Sequence, residues 1–596
     1  MTLLRFICST AFAVALGAAL ARHAFDVPPI GATAAALLQL PGIFLLAYLR
    51  YVARPREVAN TPLMSKAPRA LDEPGVPNAS VVPDGLAAPD APRAADRFLQ
   101  PARLLPPLLI GAAALAIALI RGPIYGASML TASLAAMLLL DAAAAVVSAL
   151  IDPHTPLRNV MRISSLTWLA LVLAGTLLLA LPTATHPAVP DYGHNFWRHV
   201  SACAFTAAGA VSLNGATIYF LGDDLRPFGQ AVAFGLAAMG YLLVLALGWR
   251  ALRPWLSTPL IFPVALGVAM AAPLIATALS WSAWPRLTPD SAAPGWYGLS
   301  VLFSAAAQSG LSLRQDGIAP MIRDSSLFWW LLGLMIFGGV GPIVLLDRAW
   351  NLLRRGRAGD AGPRRELLSH ELHLVLWILV IAAGCITVFE SEGFLPPRLF
   401  GAQPLDLGPQ QVTLREMPPA VGWRPGLRWR AALLMSASAR SAGLHVAPLG
   451  PGAISAPTWL LLLLLMFVGG AVGSPAGGAG PGTLAAALMP ARFRAAGAAH
   501  ASAVARRILA GMFMLCVASV LLLGLSFPNG GWWAILLDGV SIPCGVGWGT
   551  GLAAHLSGPA RIVMAALMFA GRMIPLWGWC RIAATLQTPA ASPAPR

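Results

Sequence analysis

The chain has 596 residues, of which 57% are hydrophobic and only 11% are charged. Soluble proteins normally carry about a quarter of charged residues, so this composition excludes an ordinary soluble domain. The formal net charge of +16 suggests a protein that binds nucleic acid. However, 39 of the 40 basic residues are arginine, and Lys66 is the single lysine. That bias is more typical of a GC-rich coding sequence than of a binding patch. We therefore expect a protein of the lipid bilayer with no nucleic-acid partner.

Apolar runs long enough to cross a hydrocarbon core of roughly 30 Å recur from one end of the sequence to the other. Twelve spans are predicted, at Leu3–Ala21, Gly31–Tyr51, Leu104–Ile120, Ser128–Ile151, Ile163–Ala184, Phe228–Trp249, Thr258–Trp281, Ser326–Leu346, Glu371–Val388, Ala456–Leu488 with an interruption, Ile508–Phe527 and Pro559–Leu586. The first run also fits a cleaved signal peptide. Six arginines between Arg348 and Arg365 favour a cytoplasmic position for that connection, which places both termini in the cytoplasm.

Two stretches are polar and rich in proline. Residues 52–103 carry eight prolines between Pro55 and Pro92, a composition that buries too little apolar area to offset chain entropy, so a disordered cytoplasmic linker is predicted there. The stretch 389–430 is predicted to be external, as either a small cap over a pore mouth or a loose loop.

Metal and enzyme chemistry have little support in the sequence. The cysteines stand singly, without metal-ligand spacing, and we predict neither disulfides nor zinc; they are Cys8, Cys203, Cys385, Cys516, Cys544 and Cys580. The segment His370-Glu371-Leu372-His373 has the wrong spacing for the HExxH zinc motif and is interpreted as a helix entrance. With no cluster of acids, histidines or cysteines to carry a reaction, the chain is expected not to be an enzyme and to hold no cofactor.

From residue 163 onward one unit occurs four times: an apolar span, a shorter semi-apolar segment that ends at a glycine, and another span. The short segments are Ser201–Gly209, Phe303–Gly310, Met435–Gly443 and Asp538–Gly547. Each is too short to cross the bilayer. Half-spanning helices are tolerated at membrane depth only where their backbone is buried in protein or lines a cavity, so four of them predict a central pore. Helix C-termini and backbone carbonyls at such a pore favour a cation, although each glycine alone could simply serve close helix packing.

At this point the sequence resembles the Trk/Ktr/HKT superfamily of potassium transporters, over roughly residues 160–585. The strings that carry the resemblance are Thr176-Leu-Leu-Leu-Ala-Leu-Pro182, Phe337-Gly-Gly-Val-Gly-Pro342, Ser438-Ala-Arg-Ser-Ala-Gly443, Met466-Phe-Val-Gly-Gly-Ala-Val-Gly-Ser-Pro-Ala-Gly-Gly478 and Met568-Phe-Ala-Gly-Arg-Met-Ile-Pro575. The resemblance implies an all-α polytopic membrane protein with four pseudo-symmetric helix, pore loop and helix repeats around one pore. About four extra N-terminal helices precede these repeats.

The same resemblance implies a potassium filter, to which Gly209, Gly310, Gly443 and Gly547 are assigned. Some relatives with serine at the first filter position transport sodium; Gly209 therefore favours potassium. A homodimer and a cytoplasmic nucleotide-binding regulatory subunit are also implied, in a bacterial inner membrane.

Residues 469–482 contain seven glycines and two prolines, so no continuous helix is expected there. The matching family segment is a mobile gate below the filter. Gate residues are accordingly predicted at Gly469, Gly470, Gly473, Ser474, Gly477, Gly478 and Arg572. A charge in mid-membrane is costly, so Arg572 is expected to face the pore, where the resemblance implies a cation barrier. The alternative for the glycine-rich segment is a kink that only accommodates neighbouring helices.

Two charged residues are assigned to support of the pore helices. Asp538 is placed at the start of the fourth pore helix, where capping is the expected role, and Arg440 is expected to brace the third. Two positions depart from the family pattern: Gly480 stands where a lysine is common, and Leu444-His445 replaces Phe-Asn, which adds a histidine at the predicted outer mouth. The lone acid Asp141 lies in the N-terminal addition, outside the repeats, and is left out of the pore.

The predicted function is potassium uptake driven by the membrane potential, with the ion as substrate. The alternatives are a sodium-permeable or non-conducting relative of the same fold, a twelve-span carrier of an organic solute, and a membrane-embedded enzyme. The predicted organisation is N-terminal membrane helices at 1–51, the linker at 52–103, additional helices at 104–151, pore repeats at 160–250, 256–369, 370–495 with the gate, and 505–585, and a tail at 586–596.

Overall fold

In the computed structural model the described residues are 146–147, 149–152, 155–181, 184–186, 196–288, 293–314, 317–354, 364–391, 427–446, 454–488, 498–528 and 530–587. The first three predicted spans, most of the fourth (Ser128–Ile151), the linker at 52–103, Asp141 and nearly all of the external stretch 389–430 lie outside these ranges.

The described part of the chain is built from α-helices, joined by short turns and one isolated β-bridge between Thr185 and Leu225. The helices of more than one turn are α1 (Leu157–Leu179), α2 (Phe196–Val211), α3 (Pro227–Leu252), α4 (Ile261–Leu279), α5 (Pro294–Ala307), α6 (Ser325–Val340), α7 (Pro342–Arg354), α8 (Arg364–Phe389), α9 (Arg428–Ala437), α10 (Ala456–Val468), α11 (Pro481–Leu488), α12 (Ala498–Ser526), α13 (Trp532–Ser541) and α14 (Gly558–Gln587). The prediction of an all-α fold is confirmed.

Six helical segments within the described ranges are long and apolar enough to cross a membrane: Leu157–Leu179, Pro227–Trp255, Ile261–Leu279, Glu371–Phe389, Ala499–Ser526 and Gly558–Ala584. Each overlaps one predicted span. The outward face of α1 leaves Leu173 and Leu177 more than half exposed, which suits a surface that meets lipid.

The predicted span Ser326–Leu346 is broken into α6 and α7, which meet at an angle of 92°. Gly341 at the junction has φ +93°, a backbone conformation that glycine adopts without steric cost. The next residue, Pro342, has no N–H to continue the hydrogen-bond pattern of α6. The Phe337–Pro342 string therefore forms a sharp corner rather than a straight helix.

The elements follow one another in four sets of helix, short helix and helix: α1 to α3, α4 to α6, α8 to α10 and α12 to α14. The short helices α2, α5, α9 and α13 have 16, 14, 10 and 10 residues. At 1.5 Å per residue they are about 15 to 24 Å long, too short for the hydrocarbon core.

Contacts between sets join them into one body. The short helix α2 of the first set packs against α14 of the fourth, α6 of the second set packs against α9 of the third, and α10 of the third packs against α13 of the fourth. The chain segments that follow the four short helices are thereby directed toward a common centre.

Candidate functional site

The loops that leave the four short helices begin with the same backbone hydrogen bond. In each, an N–H donates to the carbonyl five residues earlier, at 2.8 to 3.1 Å, for the pairs Asn214 and Gly209, Ser309 and Ser304, Gly443 and Ser438, and Val546 and Ser541. The recurrence of one bond in all four segments shows that the repeats share a local fold.

At the donor residue of these bonds, or one residue after it, the four loops meet in a closed ring of backbone contacts. A Cβ placed on Gly310 would lie 2.8 Å from the Cα of Gly215, and one placed on Gly443 would lie 2.9 Å from the Cα of Gly310. A Cβ on Gly443 would also meet the carbonyl oxygen of Val546, and one on Gly547 would meet the backbone of Gly215. No side chain fits between these four loop segments, so each loop needs a glycine at the ring.

The first member of this ring is Gly215, whereas the sequence prediction placed Gly209 there. Gly209 lies six residues earlier, inside α2, where a Cβ would meet the carbonyl oxygen of Ala216. The helix continues past Gly209 to Val211, and Gly209 packs against its own outgoing loop. The turn dipeptide Asn214-Gly215 was the available signal for the correct position. Gly310, Gly443 and Gly547 do lie in the ring.

Asn214 ties the first loop to the fourth repeat. Its side-chain amide donates to the carbonyl oxygen of Ile542 at 2.5 Å, while its side-chain oxygen accepts the N–H of Ala216 at 3.1 Å. The side chain is fully buried, and both of its contacts fix backbone next to the ring.

Arg572 of α14 lies directly behind the first loop. Its guanidinium donates to the carbonyl oxygens of Ser212 at 2.7 Å, Leu213 at 2.8 Å and Pro475 at 2.6 Å. The residue is 4% exposed. It therefore touches both the loop that leads to the ring and the glycine-rich segment Gly469–Gly480, here named the gate loop.

The gate loop separates α10 from α11 and contacts all four repeats. Gly473 packs against Gly248 of α3, Ala471 donates its N–H to Gly339 of α6 at 2.9 Å, and Gly478 donates to Cys544 at 2.9 Å. Within its own repeat, Gly480 donates to Val468 at 2.8 Å. The segment is an ordered loop seated beneath the ring, and the predicted break in the tenth span is present.

Arg440 and Glu371 of the third repeat hold the first turn of this loop. The Nε of Arg440 donates to the carbonyl oxygen of Gly469 at 3.1 Å, and its Nη1 donates to Val375 of α8 at 3.0 Å. Glu371 accepts the N–H of Val472 at 2.8 Å. The predicted brace at Arg440 thus reaches the gate loop, and Glu371 was missed because its neighbouring histidines drew the interpretation toward a helix entrance.

Asp538 lies in the second half of α13 (Trp532–Ser541), so it does not cap the start of that helix as predicted. The helix begins six residues earlier, at Trp532, because the apolar run before Asp538 is helical as well. The carboxylate accepts the N–H of Thr550 at 2.7 Å and is 1% exposed. Asp538 therefore holds the loop segment that follows the fourth ring position.

The two departures from the family pattern have ordinary surroundings. His445 stacks on Trp548 at 6.1 Å between ring centroids, and its carbonyl oxygen accepts the N–H of Ile318 at 2.8 Å. Gly480 has φ +87° and no atom closer than 3.4 Å to a Cβ placed on it. Within the described ranges no group of three or more metal-ligating side chains occurs.

A small cavity of about 30 Å³ lies between the gate loop and α14, lined by Gly470–Ser474, Ala476–Gly480, Gly571, Arg572, Pro575, Leu576 and Trp579. That volume holds only about two water molecules.

Four half-length helices, a glycine ring and a glycine-rich loop within a bundle of long apolar helices define a polytopic membrane protein of the ion-pore class. The family model described as "TrkH: Cation transport protein" matches residues 247–576. The chain belongs to this family, which confirms the resemblance to the Trk/Ktr superfamily and places the chain among transport proteins rather than enzymes. The match begins at the end of α3 and runs into α14.

One relative is the Ktr system potassium uptake protein B of Vibrio alginolyticus, 26% identical over 298 residues. The match covers 47% of this chain and 59% of that protein. Among solved structures, the potassium transporter TrkH from Vibrio parahaemolyticus is similar with a TM-score of 0.47 and 17% identity, covering 79% of this chain and 96% of that one.

Proposed function

We propose that the chain admits potassium ions across the membrane through the ring of Gly215, Gly310, Gly443 and Gly547. The observation that supports this most directly is the meeting of these four glycines, one from each repeat. The relative from Vibrio alginolyticus is named as a potassium uptake protein, which supports the choice of ion. With Gly215 replacing Gly209 as the first filter glycine, all four filter positions remain glycine.

The physical argument for a cation has two parts. The short helices point their C-terminal ends toward the centre, where the partial negative charge of each helix favours a positive ion. Backbone carbonyls of the ring segments can replace the hydration shell of an ion that enters. The ion is the substrate, and the proposal requires no resident cofactor.

The membrane potential is the proposed driving force. A potential of 100 mV is worth about 2.3 kcal/mol per elementary charge, or close to a fiftyfold concentration ratio at equilibrium. Passive entry through the ring therefore suffices for uptake against a concentration gradient.

The gate loop and Arg572 are proposed as the closed gate. The loop sits beneath the ring on contacts with all four repeats, and the guanidinium of Arg572 bonds to the loop and to the first ring segment together. Withdrawal of the loop would open the space below the ring and remove one partner of Arg572. A cytoplasmic nucleotide-binding subunit is the proposed source of that movement, in a homodimer of the bacterial inner membrane with both termini cytoplasmic.

The test is uptake in a bacterial strain that lacks its own potassium transporters, measured as growth at low K⁺ and as initial Rb⁺ and Na⁺ uptake. Wild type is compared with Gly215→Ser and Gly443→Ser, which place a side chain where the ring has no room. Gly384→Ala is the matched control, since Gly384 lies in α8 with open space around it and alanine favours a helix.

Wild type and Gly384→Ala are expected to restore growth, while both serine variants lose Rb⁺ uptake or its preference over Na⁺. Equal Rb⁺ and Na⁺ uptake by wild type would instead establish a sodium-permeable relative. A well-inserted wild type that moves neither ion, with or without a regulatory subunit, would contradict the proposal.

A further inference from the structure

Glu371 is an acidic side chain buried at the edge of the gate loop. It lies in α8 and is 2% exposed. One carboxylate oxygen, Oε2, accepts the N–H of Val472 at 2.8 Å. The other, Oε1, has no hydrogen-bond partner among the described residues. A half-satisfied carboxylate in such a place is costly to bury, so fold stability does not account for it.

The carboxylate contacts both ends of the gate loop. Val472 lies in the first turn of the loop, while Gly482 lies just beyond its last residue, in the first turn of α11. A Cβ placed on Gly482 would overlap Oε1 of Glu371. Glu371 is therefore wedged between the two points where the chain enters and leaves the loop.

Arg440 complements this contact from the other side of the first turn. It bonds the carbonyl oxygen of Gly469 and, through Nη1, that of Val375, which lies one turn after Glu371 on α8. Glu371 thus accepts an N–H of the turn, while Arg440 donates to one of its carbonyl oxygens. Both side chains link the turn to α8, since Glu371 belongs to that helix and Arg440 bonds to Val375 within it. The other anchors of the loop named above are backbone contacts, apart from Arg572.

We propose that Glu371 is a positioning residue that latches the gate loop in its closed place, an inference that rests on the proposed function of that loop. A hydrogen bond to a carboxylate is roughly twice as strong as one between neutral groups, so the charge of Glu371 favours the closed position. When the loop withdraws, this bond breaks and the carboxylate is released. The strength of the latch then sets how often the closed loop opens without a regulatory subunit.

The decisive variant is Glu371→Gln, which keeps the shape of the side chain and an acceptor oxygen but removes the charge. Glu390→Gln is the matched control. Glu390 follows the last residue of the same helix, and it also accepts a backbone N–H, that of Ser455, at 2.9 Å. It holds the start of α10 rather than the gate loop. Both variants are compared with wild type at equal amounts of inserted protein, without a regulatory subunit.

Glu371→Gln is expected to raise the initial Rb⁺ uptake rate about fivefold, the effect of replacing a charge-assisted hydrogen bond by a neutral one, while Glu390→Gln leaves it near wild type. A gain of uptake cannot come from misfolding. Provided that the wild type takes up Rb⁺, unchanged or lowered uptake in Glu371→Gln, or an equal rise in both variants, would overturn the latch.

A second readout does not depend on conduction. Ser474 is 2% exposed in the gate loop, and Ser474→Cys introduces a thiol that a membrane-impermeant maleimide reaches only when the loop moves. Adding Glu371→Gln is expected to accelerate this labelling about fivefold, whereas adding Glu390→Gln is not. Faster labelling in a chain that transports nothing would retain the latch and reject the proposed function; unchanged labelling would reject the latch alone.

Discussion

Arg572 Nε donates to the carbonyl oxygen of Ser212 at 2.7 Å, across 360 residues of chain. This bond joins α14 to the loop that leads into the first ring position. The same guanidinium reaches the gate loop at Pro475. Ring and gate loop therefore share one buried cation, and its removal affects both of them at once.

Arg572→Gln is expected to raise basal Rb⁺ uptake by at least about tenfold, because the charged hydrogen bond from Arg572 to the gate loop is worth about 1.5 to 3 kcal/mol. The measurement is initial uptake in the potassium-transporter-deficient strain. Arg561→Gln is the matched control: Arg561 is a fully buried arginine of the same helix that donates to Arg198 at 3.0 Å and Ala554 at 2.8 Å.

The control is expected to lower the melting temperature of the purified protein without a rise in uptake, since Arg561 contacts neither the ring nor the gate loop in the bonds described above. If Arg572→Gln inserts normally and its uptake stays at the wild-type level, Arg572 does not hold the closed gate.

The variants Gly209→Ala and Gly215→Ala test which of these two glycines belongs to the filter in the first repeat. The Cβ that Gly209→Ala adds would press on the outgoing loop, so we expect a loss of about 1 to 3 kcal/mol of stability, typical of overpacking, seen as a lower melting temperature. The remaining uptake of this variant should keep the wild-type ratio of Rb⁺ to Na⁺. Gly215→Ala is expected to change that ratio. A changed ratio in Gly209→Ala alone would restore the first assignment.

The sequence predicts the helical class, the four repeats and three ring glycines because these depend on apolar run length and on a local glycine signal. It misplaces the first glycine because Gly209 ends a semi-apolar segment like those of the other three repeats, a pattern that outweighs the turn signal of Asn214-Gly215. The structure shows that the helix runs past Gly209 to Val211. The sequence does not reveal the roles of Glu371 and Asp538, for a related reason. Each accepts a backbone N–H distant in sequence, 101 and 12 residues away, and no local pattern marks such a partner.

Two substitutions of Asp538 distinguish a residue that braces the loop after α13 from a residue that attracts ions. Asp538→Asn retains an acceptor for the N–H of Thr550, so uptake is expected to stay near wild type. Asp538→Ala leaves that buried N–H without a partner, at a cost of about 1 to 3 kcal/mol, and is expected to lose uptake and thermal stability. The measurement is initial Rb⁺ uptake with the melting temperature of each variant. An equal loss in both variants would favour an electrostatic role for the charge instead.

The sulfurs of Cys516 in α12 and Cys544 in the loop after α13 lie 3.7 Å apart. Both thiols are free and buried. A disulfide requires the sulfurs to approach to about 2.05 Å, which would displace Cys544 and with it the carbonyl oxygen that accepts the N–H of Gly478 in the gate loop. A membrane-permeant thiol oxidant such as diamide is therefore expected to join the pair and to lower Rb⁺ uptake.

The measurements are the number of thiols that react after denaturation, which should fall by two on oxidation, and Rb⁺ uptake before and after reduction with dithiothreitol. Cys516→Ser is expected to abolish both effects, because one partner of the bond is gone. Cys580→Ser is the control, a buried cysteine that bonds to Leu247 of α3, and it should leave both effects intact. If diamide lowers uptake equally in the Cys516→Ser variant, the thiol pair does not couple to the gate loop.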